Sequence, residues 1–332
     1  MRAAGADYNF LCGILRSREA QLLNRARTEA MVGAREFAAA VAQVPEGPFS
    51  AGLKTAPGAE GIEAGCRAEL AEVKLLLARD CPSAEFSRLV FLPWDFHNLK
   101  VAVLEKLKQK TGDDLFGPEG EAPVAGLRTM AEAMEFRSLP RHLLAALERA
   151  WIAYHEEGKD SQVFELALDR QKQLALRGSA AAVSHDVMAH VEAVADISIA
   201  ASVLRARFAD MPFRRIAYGL EGHADFARLR TLYPQKLAEW GGRIPSLGSR
   251  VLQRVFLAVN ALADVSRAVA VERRARLEAM RDWRYRPPSA EYTFFFFTRK
   301  LADIFNLRLI LLAVLKGVGE EEVRGRLNDA FV

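Results

Sequence analysis

Three aspartates on otherwise apolar helical sequence are the residues whose type and spacing invite a chemical reading. In Asp303-Ile304-Phe305-Asn306-Leu307-Arg308 a carboxylate and an amide stand three residues apart, on one face of a helix. Asp95-Phe96-His97-Asn98-Leu99-Lys100 repeats the pattern, and Asp196-Ile197-Ser198-Ile199 keeps the acid without the amide. Acids that line a helical pocket act as bases or metal ligands when they cluster, as in DDxxD or paired ExxH, and neither spacing occurs. The histidines (His97, His142, His155, His185, His190 and His223) include no HExxH, and His185 and His190 are five apart, off one helical face. There is no GxxxxGK[ST] and no GxGxxG following a strand. The sequence therefore predicts no catalytic, cofactor-binding or metal-ligating residue, no cofactor, and no enzyme activity of its own. A buried acid on an apolar helix needs a partner, and the structural reading makes these acids fixers of helix register.

The boxes repeat at intervals of roughly one hundred residues, and each has an upstream companion: Glu69, Asp169-Arg170 and Glu272-Arg273. Midway between the paired boxes lie Pro82, the small-residue stretch from Arg177 to Ser184, and Pro287-Pro288. Helix breakers at these midpoints predict three antiparallel hairpins. Residues equidistant from a turn then sit side by side, which places Arg170 beside Asp196 and Arg273 beside Asp303. Internal repetition of this kind gives an all-α fold of three similar units: residues 1–112 with a Gly/Pro-rich loop at 44–65, residues 123–220, and residues 221–332.

The coarse elements agree. Tyr8–Ala42 reads as one helix, Cys66–Arg79 and Glu85–Lys110 as two more, with Pro93 a kink or interruption. Helices follow over 124–135, 140–158, 161–177, 184–209 and 225–240, then a long Arg-rich helix over 249–285. The last long helix runs from Ser289, a suitable N-cap, to Gly317, a suitable C′ residue. A short helix follows Gly319. Phe294 to Phe297 cover every side of one turn, which predicts an enclosed position.

Composition narrows the class. The chain has 332 residues, is 51% apolar and carries a net charge of +4, too small an excess to argue for nucleic acid. Cys12, Cys66 and Cys81 are few and scattered, which fits a reducing compartment. No signal peptide is visible. The best membrane-span candidate, Tyr292–Leu315, is broken by Arg299, Lys300, Asp303 and Arg308. From Arg243 to Arg286 ten arginines face four acids. Arg250, Arg254, Arg267, Arg274 and Arg281 are thus candidates to face acidic partner surfaces or anionic head groups.

Taken together these residues resemble the C/d family of rotary ATPases, the C-type rotor proteins of archaeal and bacterial A/V-type ATPases and their d-type equivalents in vacuolar ATPases. The carboxyl third carries most of the likeness: Val271-Glu272-Arg273, the aromatic run ending at Phe297, Lys300, Asp303, Asn306-Leu307-Arg308, Lys316-Gly317 and Glu322-Val323-Arg324 with Leu327. Asp95-Asn98-Leu99-Lys100, Leu168-Asp169-Arg170, and Tyr8, Arg16, Arg18 and Leu22-Leu23 agree with it. The 44–65 segment and Ile199, where the family often has Asn, depart from it. The resemblance implies a non-catalytic rotor part: three helical units forming a pseudo-threefold funnel on the cytoplasmic face of the membrane. There it links the central-stalk subunits of the ATP-hydrolysing head to the proteolipid ring that carries protons or sodium ions, and it touches the membrane only peripherally through that ring. The alternative from a different class is an all-helical repeat scaffold or adaptor for another assembly.

Overall fold

Helices account for all the regular structure among the described residues of the computed structural model, which are 7–108, 116–117, 120–262 and 264–327. In chain order the α-helices are α1 (Asn9–Arg18), α2 (Arg25–Val32), α3 (Phe37–Val41), α4 (Pro48–Leu53), α5 (Gly58–Asp80) and α6 (Ala84–Lys108). Then come α7 (Val124–Ala133), α8 (Arg141–Glu156), α9 (Ser161–Val183), α10 (His185–Phe208), α11 (Phe213–Ala217) and α12 (Phe226–Leu232). The series closes with α13 (Arg250–Leu262), α14 (Val265–Ala279), α15 (Ala290–Lys316) and α16 (Glu320–Arg326). Contacts gather the chain into two units, Met1–Ser87 with Leu277–Val332, and Arg88–Arg276.

The first unit is built around α15. Ser289 caps it by accepting from the Tyr292 N–H at 3.3 Å, Glu291 and Lys316 complement its dipole, and Gly317 closes it at φ 68°. Leu23, Met31, Phe49 and Ile62 pack with its Ile304, Leu307, Ile310 and Leu311. Phe295, Phe296 and Phe297 are buried, and Phe297 and Phe294 flank the fully buried Phe86. The aromatic turn is thus core.

Two readings of this unit change. The amino end is three helices, not one, because the chain is extended at Leu22 and restarts at Asn24, whose side chain accepts from the Arg27 N–H. The glycine-rich stretch expected to be a loop folds as α4 and the start of α5. A Cβ on Gly52 would stand 2.6 Å from the Gly65 backbone, and one on Gly65 would stand 2.8 Å from the Phe49 carbonyl. These glycines are used for close helix packing rather than for turns.

In the second unit Leu99, Val103, Leu127, Leu143, Leu147 and Phe164 form one core. Ile197, Val203, Leu204, Trp240, Leu252 and Phe256 form another. Helix α6 passes through Pro93 without interruption. The Arg-rich helix divides into α13 and α14, followed by a 3-10 turn at Arg281–Tyr285. Helix α10 is long and apolar enough to cross a membrane by length and composition, the reverse of the expectation that no segment would be. Between Val187 and Leu204 its only formal charges are Glu192 and Asp196. It packs against α9 and α13, with Ile197, Ile199, Ala200 and Val203 buried.

Candidate functional site

The Asp95 and Asp303 boxes are buried and Asp196 is partly buried, and each fastens irregular backbone or a loop side chain to a helix. Asp303 on α15 is 3% exposed, and its Oδ2 accepts from the Leu23 N–H at 2.9 Å. One turn earlier, Arg299 Nη2 donates to the Leu23 carbonyl at 2.6 Å. Both backbone groups of Leu23, in the break between α1 and α2, are therefore held by side chains of α15. Burial pushes the Asp303 carboxyl up to about 7, against the pull of the Leu23 N–H and the positive charges of Arg299 and Lys300. Asn306, one turn on, is fully buried.

Asp95 and Asn98 on α6 do the same for the segment leading to α7. The Asp95 carboxylate accepts from the N–H groups of Glu121 and Ala122 at 3.1 and 2.9 Å, and Asn98 Oδ1 accepts from Gly117 N–H at 2.9 Å. Gly120 lies so close that a Cβ there would sit 2.1 Å from Asp95 Oδ1.

Asp196 on α10 takes side-chain donors instead. Ser249 Oγ donates to its Oδ2, and His223 Nε2 lies 3.0 Å from its Oδ1. The His223 tautomer follows from its surroundings: Nδ1 accepts from the Asp225 N–H, so a neutral ring carries its proton on Nε2. Asp225, 1% exposed, accepts from the N–H groups of Gly248 and Ser249 at 2.7 and 2.9 Å and from Arg228 at 2.8 Å. Burial alone would raise its carboxyl, but those donors hold it below the usual range. Asp225 escaped the sequence reading because no periodicity marks a buried acid in a loop.

The upstream acids form ion pairs. Glu69 on α5 binds Lys300 Nζ at 2.6 Å, and its other oxygen accepts from the Phe49 N–H at 2.9 Å. Lys100, at the end of the first box, reaches both oxygens of Asp169 at 2.9 Å, and Lys172 adds a second cation. Burial would raise Asp169, but these two lysines hold it low. Glu272 on α14 takes a bidentate Arg254 and also Arg276.

A family model of the ATP synthase (C/AC39) subunit matches residues 11–326. The chain belongs to that family. Every box described above lies inside the span shared with the C/AC39 subunits. No curated protein matches the chain significantly.

In this C/AC39 protein the expected acid–arginine pairs give way to others. The partners found at Asp303 are Leu23 N–H and the nearby Arg299 and Lys300, in place of Arg273. Arg170 feels the Asp196 charge, but it donates to the Glu221 carbonyl at 2.6 Å and to Gln173 at 3.1 Å, leaving Asp196 to Ser249 and His223. Distance from a turn sets the level of a residue in a hairpin, and α9 and α10 do pack together, but it does not set which donors reach the carboxylate: a backbone N–H at a helix break takes Asp303, and loop side chains take Asp196.

Arg308 is half-exposed and pairs with Glu63 at 2.7 Å. Arg273 is exposed, and burial of part of its side chain together with the charge of Arg205 lowers its affinity for its proton. Among the arginines expected to face partners, Arg254 has a half-exposed side chain and pairs with Glu272 within its own unit. Arg250, Arg274 and Arg281 are exposed, and the Arg267 side chain lies outside the described ones. Among the described residues no group of three or more His, Cys, Asp or Glu is arranged to hold a metal ion.

Proposed function

We propose that this chain is the non-catalytic rotor subunit of a V/A-type rotary ATPase. In that reading it seats the central stalk of the ATP-hydrolysing head on the membrane ring that carries protons or sodium ions. The family match over residues 11–326 carries the proposal. The physical chemistry supports it: carboxylates spent on backbone N–H groups and internal cations are suited to holding shape under load, not to acid–base turnover. The three repeats, 1–112, 123–220 and 221–332, form a pseudo-threefold funnel in this reading. In the same reading Arg250, Arg274 and Arg281, which are exposed, lie on the side that meets acidic partner surfaces, and the chain is cytoplasmic, held to the membrane only through the ring.

Reconstitution of the complex in vesicles with and without this chain tests the proposal. Omission should leave ATP hydrolysis by the head intact and abolish ATP-driven ion accumulation. Ion pumping at normal coupling without the chain refutes it.

A further inference from the structure

We propose that a cavity in the second unit, between α9, α10 and the loop from Gly222 to Asp225, binds a small oxyanion. The cavity measures about 290 Å³, close to the lower end of the range usual for small-molecule sites. One stripe of α9 lines it: Arg170, Gln173 and Arg177, spaced so that all three share a face.

The donors on that stripe are incompletely used. Arg170 is 6% exposed, and its guanidinium gives Nε to the Glu221 carbonyl and Nη1 to Gln173 Oε1. Among the described residues its Nη2 has no hydrogen-bond partner, although it lines the cavity beside Gly222. Gln173 spends its carbonyl oxygen on Arg170, so its amide NH₂ remains a donor. Arg177 binds Glu192 through Nε at 2.6 Å and keeps its two terminal nitrogens. Burial first, and then repulsion from Arg177, weakens the hold of Arg170 on its proton, against the attraction of Asp196 and Glu221. An anion between the two arginines relieves that repulsion.

The acids on the walls are already engaged. Asp196 takes Ser249 and His223, Asp225 takes two backbone N–H groups and Arg228, and Glu192 takes Arg177. What the cavity offers is therefore donors, with Leu174, Val191 and Ala195 as an apolar wall. This suits a carboxylate or phosphate group on a small body.

The test is the melting temperature of the full chain titrated with inorganic phosphate or with malonate, at ionic strength held constant with sodium chloride. Wild type should show a saturable rise with at least one of the two, and the one that saturates identifies the oxyanion. Arg177→Gln, a half-exposed position where the fold should survive, should raise the half-saturating concentration at least fivefold; Arg170→Lys should do the same where it folds. A rise that does not saturate, or one of equal size and midpoint in wild type and Arg177→Gln, is a general salt effect and overturns the proposal.

Discussion

Replacing Asp303 with Asn separates charge from hydrogen bonding at the buried box of α15. The amide keeps an acceptor for the Leu23 N–H but cannot ionise. In the wild type the folded carboxyl holds its proton up to about pH 7, against 3.8 as the ordinary value. A folded pKa above the unfolded one means that the folded state binds more protons between the two values. Stability is then present at low pH and lost as pH rises through about 7. With these two values the wild type should lose about 2–3 kcal/mol between pH 5 and pH 8, and Asp303→Asn should not. The assay is urea denaturation of both proteins across that range, read as the difference between them so that other titrating groups cancel. The variant should gain on the wild type with rising pH. A difference that stays flat, or one in which the wild type gains, would mean that Arg299 and Lys300 keep the carboxylate charged throughout, and would refute the reasoning.

Asp225→Ala strips the acceptor from two backbone N–H groups and should cost about 3–5 kcal/mol in chemical denaturation, whereas Arg228→Ala, at a half-exposed partner, should cost less than about 1 kcal/mol. Gly52→Ala drives a methyl into the Gly65 backbone and should lower stability by about 1–3 kcal/mol, measured by thermal melting. A double-mutant cycle on Glu69 and Lys300 should return a coupling of about 1–3 kcal/mol. The same cycle on the exposed Glu63–Arg308 pair should return under about 1 kcal/mol.

The helix caps of α15 were legible because Ser289 and Gly317 are side-chain signals placed at the ends of an apolar run. Burial of Asp95 and Asp303 was legible for a similar reason: an acid inside such a run has no route to solvent. Their partners were not. Leu23 and Ala122 contribute backbone N–H groups, which every residue but proline carries and which no spacing can reveal. Arg273 and Arg170 looked right by arithmetic about a turn, and α9 does pack on α10, but a shared level along a hairpin does not say which donors reach a carboxylate first. Helix α5 also lies against α15, and Glu69 meets Lys300 there. The glycines of 44–65 misled in a related way. Glycine is as useful for its missing side chain as for its permissive backbone, and only the approach of α4 to α5 tells which use applies.

The grip of Arg299 and Asp303 on Leu23 also orders events in time. The bond joins residues 280 positions apart, and the unit it closes is assembled from both ends of the chain, Met1–Ser87 and Leu277–Val332. During synthesis the amino-terminal helices emerge first and have no α15 to fold upon. At translation rates of about 5–20 residues per second, they wait on the order of ten to fifty seconds with Leu23, Phe49 and Ile62 uncovered. The second unit, contiguous from Arg88 to Arg276, is free to form in that interval. The nascent chain is therefore vulnerable to aggregation at the amino-terminal part of the first unit, and that vulnerability ends only when Ser289 to Lys316 leaves the ribosome.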